Sequence, residues 1–151
     1  MVRVRPALPA ELPGFTSFER AKDAAPFVNT YTSEEHARMH VRNDVTYLSI
    51  ERAGELDGFV LLVLDPDGAS VELRRIVVAR KDRGTGQAAL AAAERYCVEE
   101  LGRRRIWLDV APYNARARHI YEKHGYLPFP TPPGADPDME FLEKRVVLSA
   151  P

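Results

Sequence analysis

Apolar and polar positions alternate along the first half of the chain and then change period. Val2-Arg3-Val4-Arg5 alternates until Pro6 ends it, which predicts a short first strand. Leu8 to Lys22 has the spacing of a weak helix, with Pro9 and Pro13 near its start. Thr32-x-x-Glu35 is a capping-box pattern, in which a hydroxyl and a carboxylate satisfy each other's backbone N–H groups; it predicts a helix to about Arg42. Val45 to Arg52 and Gly58 to Leu64 predict strands on either side of an Ala53-Gly54-Glu55 turn. Asp65-Pro66-Asp67-Gly68 is a turn signal, and Val71 to Val78 predicts the next strand. Strands at this spacing make an antiparallel meander.

After Gly84 the period becomes helical. From Thr85 to Leu101, Leu90, Ala93, Cys97 and Leu101 share one face while Glu94, Arg95 and Glu99 face water, and Gly102 stops the helix. Arg105 to Val110, with the sole tryptophan, Trp107, predicts a strand. It follows a strand–loop–helix crossover, so it is expected parallel to the strand ending at Val78. Asn114 to His124 predicts a helix, with Ala117, Ile120, Tyr121 and His124 at helical spacing and Gly125 as its stop. A short strand at Tyr126 to Phe129, a loop holding Pro130, Pro132, Pro133 and Pro137, and a strand from Phe141 to Leu148 complete the pattern. With no internal repeat or linker, one α/β domain over residues 1–151 is expected.

Composition narrows the function. A net charge of −1 and a pI near 6.4 lack the basic excess that nucleic acid or an anionic membrane attracts. The longest apolar run, Phe59 to Leu64, is too short to span a bilayer, and no apolar leader opens the chain, so a cytoplasmic location is expected. Cys97 stands alone, which excludes an internal disulfide and a cysteine-built metal site; a small core residue is expected there. His36 and His40 are one helical turn apart but lack a Glu-x-x-His setting, so a solvated helix face and no metal are expected. Arg103-Arg104-Arg105 reads as a charged strand entrance.

The chemistry concentrates at Ile76 to Leu90, where a β-branched strand passes through a charged loop and two glycines into an alanine-rich helix. Glycines allow close backbone approach, and free N–H groups at a helix N-terminus favour an anion, so the stretch suits a phosphorylated ligand. A nucleoside-triphosphate loop requires Lys followed by Ser or Thr, where Gln87-Ala88 stands instead. The dinucleotide pattern Gly84-x-Gly86-x-x-Ala89 is present, but five residues, Ala79 to Arg83, part the strand from the first glycine, and one crossover helix replaces repeated βαβ units.

Arg83-x-x-Gly86-x-Ala88 is similar to the acyl-CoA motif of the GNAT superfamily of N-acetyltransferases, Gln/Arg-x-x-Gly-x-Gly/Ala. Around it stand Glu72-Leu-Arg-Arg-Ile76-Val77-Val78, Leu108-Asp109-Val110 and Asn114-x-x-Ala117-x-x-x-Tyr121-Glu122-x-x-Gly125-Tyr126, which resemble the family's core in order and spacing from about Val71 to Tyr126. The resemblance implies a mixed, mostly antiparallel sheet with a central splayed parallel strand pair and flanking helices. It implies transfer of acetyl from acetyl-CoA to a primary amine, small molecule or peptide, by direct attack in a ternary complex, with a homodimer compatible by analogy. A non-catalytic acyl-CoA-binding or sensor module on the same fold is the alternative.

Residue by residue, the resemblance implies that the backbone of Gly84, Thr85, Gly86, Gln87, Ala88 and Ala89 meets the pyrophosphate, with Arg83 shaping the loop or adding charge. Ile76, Val77 and Val78 would pair with the pantetheine arm as an added strand would, and an N–H near Val78 would polarise the thioester carbonyl. Asn114 is expected to bond the pantetheine or to cap its helix, and Tyr121 to be the acid facing the sulfur. For the base, Glu72 comes first, on the face that alternation gives it with Arg74 and Ile76; Asp109 is its rival on the next strand. The acceptor pocket of such proteins is shaped by the first two helices and the last loop. Here that loop, Pro128 to Pro137, matches no family motif, and Asp136, Asp138 and Glu140 near it read as solvated.

Overall fold

The computed structural model describes residues 1–21, 30–80 and 84–148. Its elements follow in chain order as β1 (Val2–Pro6), a 3₁₀ turn (Pro9–Glu11), α1 (Leu12–Arg20), α2 (Ser33–His40), β2 (Val45–Arg52), β3 (Glu55–Leu64), β4 (Ser70–Val78), α3 (Thr85–Glu99), β5 (Arg105–Val110), α4 (Ala115–Lys123), β6 (Leu127–Pro128) and β7 (Glu140–Arg145). The described strands form one seven-stranded sheet in the order β1-β2-β3-β4-β5-β7-β6. Neighbours run antiparallel except β4 and β5, which are parallel because α3 crosses over between them. The capping box at Thr32 is present, with Glu35 N–H donating to Thr32 Oγ1 at 3.1 Å and Thr32 N–H to Glu35 Oε1 at 3.0 Å. The predicted end of the first helix, Lys22, lies outside the described residues; α1 itself ends at Arg20.

Alternation along the central strands builds two cores. Leu48, Ile50, Val60, Leu62, Val71 and Leu73 pack beneath Leu90, Ala93 and Cys97 of α3, with Ile120 and Tyr121 of α4 alongside. Tyr47, Phe59, Leu61 and Val77 face the other way, onto Leu12 and Phe15 of α1 and Met39 of α2, where Phe15 stacks on Phe59 with 4.5 Å between ring centroids. Cys97 is fully buried as expected, and burial pushes its thiol up to about 12, so it is inert packing.

Two expectations about surface residues are overturned. His36 does not lie on a solvated face: it is fully buried, its Nδ1 2.6 Å from the Tyr47 hydroxyl and its Nε2 against Glu19. Arg75 completes the cluster, donating to Glu19 at 3.2 Å and lying 4.9 Å over the Tyr31 ring. Eight residues of α2 carry few apolar side chains, so the helix docks by its histidine; charge pattern alone hides such a buried pair. Glu94 likewise does not face water. It is 6% exposed and accepts 2.9 Å hydrogen bonds from Tyr126 and Lys144, because β7 and residues 146–148 cover the flank of α3 that an isolated helical wheel assigns to solvent.

Three further features shape the centre of the sheet. The β3–β4 register passes from Leu61↔Arg75 to Leu62↔Leu73, leaving Arg74 as the extra residue of a β-bulge. The bulge resets the alternation, so Ile76 joins Val71 and Leu73 on the α3 side and Glu72 lies on the opposite face, not with Ile76 as strict alternation predicts. The β4–β5 ladder holds only from Ser70↔Arg105 to Glu72↔Trp107, and past it the strands splay. Its closed end is latched: Arg103 donates to the carbonyls of Asp65 at 2.7 Å and Ser70 at 3.0 Å, and the Trp107 indole donates to Asp65 at 2.6 Å. The arginine run is thus partly a structural latch at the end remote from the glycines.

A second bulge, at Asp57, lies where β2–β3 pairing passes from Ile50↔Gly58 to Glu51↔Leu56. Gly58 has φ +152°, and a Cβ there would stand 2.1 Å from the Val77 carbonyl oxygen and 2.9 Å from Val78 Cα. Gly58→Ala is therefore expected to force β3 away from the end of β4, costing about 1–3 kcal/mol as overpacking does, with a lower thermal midpoint and faster amide exchange along the end of β4 in the same variant. Unchanged values of both would show that β4 has room the geometry denies it.

Candidate active site

The splay leaves one edge of β4 open. From Leu73 to Val78, β4 keeps its pairing with β3, but among the described residues no strand pairs with its other edge. Unpaired N–H and C=O groups along a strand edge are a template for an extended, peptide-like segment. Ile76, Val77 and Val78 stand on this edge as expected, Val77 buried and the two others half-buried.

The N-terminus of α3 stands at the mouth of the opening. Its N-cap, Gly84, has φ +72°, a left-handed conformation that glycine adopts freely, and no side chain caps it. The first intrahelical bond runs from Ala88 N–H to Gly84 C=O at 3.1 Å, so the amides before Ala88 have no partner within the helix. A Cβ on Gly86 would meet nothing within 4 Å; the glycine is required by no neighbour and leaves open space above the helix end. Gln87 reaches His124 at 3.4 Å, tying α3 to the end of α4, while Ala88 is exposed and Ala89 buried in the core. Thr85 is 1% exposed, and its hydroxyl accepts from Arg52 at 2.7 Å inside the protein. Arg83 lies outside the described residues.

Asn114 is the N-cap of α4, its Oδ1 accepting from Ala117 N–H at 3.2 Å. The capping expected of it is formed. The cap orients α4, which carries Tyr121 one face over. Tyr121 packs edge-on against Tyr126 with 5.6 Å between centroids, and among the described residues no side chain hydrogen-bonds its hydroxyl. Burial, and then the charge of Asp109, push that hydroxyl up to about 12.

The two carboxylate candidates have different surroundings. Glu72 is ion-paired with Arg74 at 2.7 Å and is mostly buried. Asp109 is exposed, yet the protein around it displaces enough water to raise its carboxyl above the ordinary range. The Glu72 charge raises it further, against the guanidiniums of Arg75 and Arg74. Glu72, Trp107 and Asp109 share one face across the strand pair. Glu140 does not stand free, since it pairs with Arg118 at 2.8 Å.

One residue that matters to this geometry does not stand out in the sequence. The strand predicted from Gly58 leaves Asp57 unassigned, whereas it is fully buried inside β3. The signal was a charged residue and a glycine interrupting the apolar run Leu56 to Leu64, the mark of a bulge.

A mostly antiparallel sheet that opens between one parallel pair, with an uncapped helix N-terminus at its mouth, defines a class of acyl-CoA-binding fold. The profile of the Acetyltransferase (GNAT) family matches residues 15–126, and the chain belongs to that family. No curated protein sequence matches it. In fold it is similar to spermidine N-acetyltransferase from Vibrio cholerae in complex with CoA and spermine, at 19% identity over 95% of each chain with a TM-score of 0.80. It is also similar to aminoglycoside acetyltransferase AAC(6')-Ib in complex with coenzyme A, at 16% identity over 96% of this chain and 95% of that one, TM-score 0.80. A third is PaiA N-acetyltransferase from Thermoplasma acidophilum in complex with coenzyme A, at 19% identity over 97% and 99%, TM-score 0.79.

Proposed function

We propose that the chain is a single-domain acetyl-CoA-dependent N-acetyltransferase acting on a primary amine by direct attack in a ternary complex. The observation that carries this reading is the open edge of β4 from Leu73 to Val78 beside the uncapped start of α3. The edge suits the amide-bearing pantetheine arm, and the amides of Gly84 to Gln87 suit the pyrophosphate. Asp109 is the better base, because its carboxyl is exposed and raised, which suits it to take up a proton, while Glu72 is held in an ion pair by Arg74. Directly or through a water, Asp109 takes one proton from the substrate ammonium. The free amine attacks the thioester carbonyl, whose developing oxygen charge a β4 backbone N–H near Val78 stabilises. As the C–S bond breaks, Tyr121 donates to the leaving sulfur, and the second nitrogen proton restores the Tyr121 hydroxyl. The products are the acetamide, free CoA thiol and one proton released to solvent.

Calorimetric titration of the purified chain with acetyl-CoA is expected to give saturable 1:1 binding, with no heat from NAD⁺. Thiol release on adding primary amines is then expected. Binding without release for any amine would favour the acyl-CoA sensor alternative, and binding of NAD⁺ alone would overturn the acetyl-CoA reading.

A further inference from the structure

Asp57 is a buried carboxylate that the chemistry above does not use, and its hydrogen-bond partners among the described residues stand just after β4 and at the start of α3, the two elements that would flank the cofactor. It is fully buried. Its Oδ1 accepts from Arg80 Nε at 2.9 Å, and its Oδ2 accepts from the Thr85 hydroxyl at 3.4 Å. Its own carbonyl accepts from Ala79 N–H at 2.7 Å. Arg52 donates to the same Thr85 hydroxyl at 2.7 Å, so a line of donors runs from Arg52 through Thr85 to Asp57. Arg80 and Ala79 follow directly on β4, and Thr85 is the first residue of α3. One side chain thus joins the end of the open strand to the start of the helix.

The backbone is shaped to deliver it there. Asp57 is the extra residue of the β2–β3 bulge, and bulges re-aim a side chain out of strict alternation. The next residue, Gly58, lets β3 approach the Val77 carbonyl more closely than any side chain permits. A buried carboxylate needs compensation, and here it comes from two hydrogen bonds, one of them from the Arg80 guanidinium. A negative charge at the start of a helix destined for a pyrophosphate is repulsive unless neutralised, so simple anion attraction does not explain it. Its arrangement instead fixes a separation.

We propose that Asp57 is a positioning residue that sets the spacing between the β4 edge and the α3 N-terminus, and thereby specifies the phosphate-bearing part of acetyl-CoA and not the acetylpantetheine part. This rests on the acetyl-CoA reading above. Two parts of one ligand are held by two different elements, pantetheine by β4 and pyrophosphate by α3. Joining them rigidly gives the second contact at little further entropic cost. A loosened joint loses that advantage for a ligand touching both elements and loses nothing for a ligand touching one.

The test compares acetyl-CoA with S-acetylpantetheine, which has no phosphate, by calorimetry or NMR titration of the full chain. Asp57→Asn keeps the shape but cannot accept from both partners, and Thr85→Val keeps the volume of Thr85 and its backbone N–H. For folded Asp57→Asn, acetyl-CoA is expected to bind at least tenfold more weakly while S-acetylpantetheine binds as it does to the unmodified chain. Thr85→Val is expected to shift the same ratio in the same direction, and it decides the matter should Asp57→Asn not fold. Equal weakening of both ligands would overturn the proposal in favour of a merely structural role, and so would unchanged binding of acetyl-CoA. If the unmodified chain binds neither ligand, it is the acetyl-CoA reading that fails, a result separable from any difference between variants.

Discussion

Tyr121→Phe is expected to lower kcat by about 10²-fold while leaving the affinity for acetyl-CoA unchanged, the lower end of what a positioned acid contributes. The size follows from the hydroxyl's surroundings. Burial and the Asp109 charge hold it at about 12, so it stays protonated across any working pH, and among the described residues no side chain competes for it. A thiol ionises near 8.5, well below that value, so a complete early proton transfer to the sulfur is uphill. On the proposed mechanism Tyr121 therefore first donates a hydrogen bond as negative charge gathers on the sulfur, and its proton passes over only as the second nitrogen proton replaces it. That interaction exists in the transition state and not in the ground state, so it appears in kcat and not in binding. The pH profile adds a check. Asp109 must be ionised to accept a proton, and its carboxyl is raised, so kcat/KM falls as pH drops through a value above the ordinary carboxylate range. This acid limb belongs to Asp109 and persists in the Tyr121→Phe variant. An unchanged kcat would remove Tyr121 from the mechanism; loss of the acid limb with the hydroxyl would mean the two groups titrate as one.

Glu19→Ala is expected to destabilise the fold by about 3–5 kcal/mol, the usual cost of removing one partner of a buried ion pair. Glu19 is fully buried, held by His36 and by Arg75 at 3.2 Å. Its removal takes the shared carboxylate from the buried His36 imidazole, which lies beside Tyr47 and Phe59, and from the Arg75 guanidinium; burial with the Glu19 charge already raises the Tyr47 hydroxyl there. For a chain of this size that cost corresponds to a fall in Tm of roughly 6–20 °C. Glu19→Gln retains the shape and one acceptor and is expected to fall between the parent and the alanine variant. A Tm within a degree of the parent for Glu19→Ala would mean that water replaces the carboxylate and the cluster is not closed. Arg75 also lies on β4, so the same cluster supports the strand on which the proposed catalytic carbonyl contact depends.

The family was legible in the chain because its marks are local. A glycine pair after a β-branched strand, an Asn–Tyr spacing on one helix, and turn residues between alternating runs act within a few residues of one another. The strands Val45–Arg52 and Arg105–Val110, the capping box at Thr32, the parallel strand pair and the helix after Gly84 were readable for that reason. What the sequence could not decide were contacts between distant segments. His36 is buried because Glu19 and Tyr47 meet it from seventeen and eleven residues away, and Glu94 because Tyr126 and Lys144 do so from thirty-two and fifty. A charged residue in a one-dimensional pattern looks the same whether water or a partner compensates it, and only packing distinguishes the two. The bulges at Arg74 and Asp57 belong to the same class. Each is one residue of mismatch between two strands, invisible in either strand alone, yet it turns Ile76 from the face of Glu72 and aims Asp57 at Arg80 and Thr85. The sequence by itself thus determined which elements form and which family they compose. The tertiary structure alone decided which carboxylate is held by a neighbour and which stands exposed, because register and burial are properties of pairs of segments.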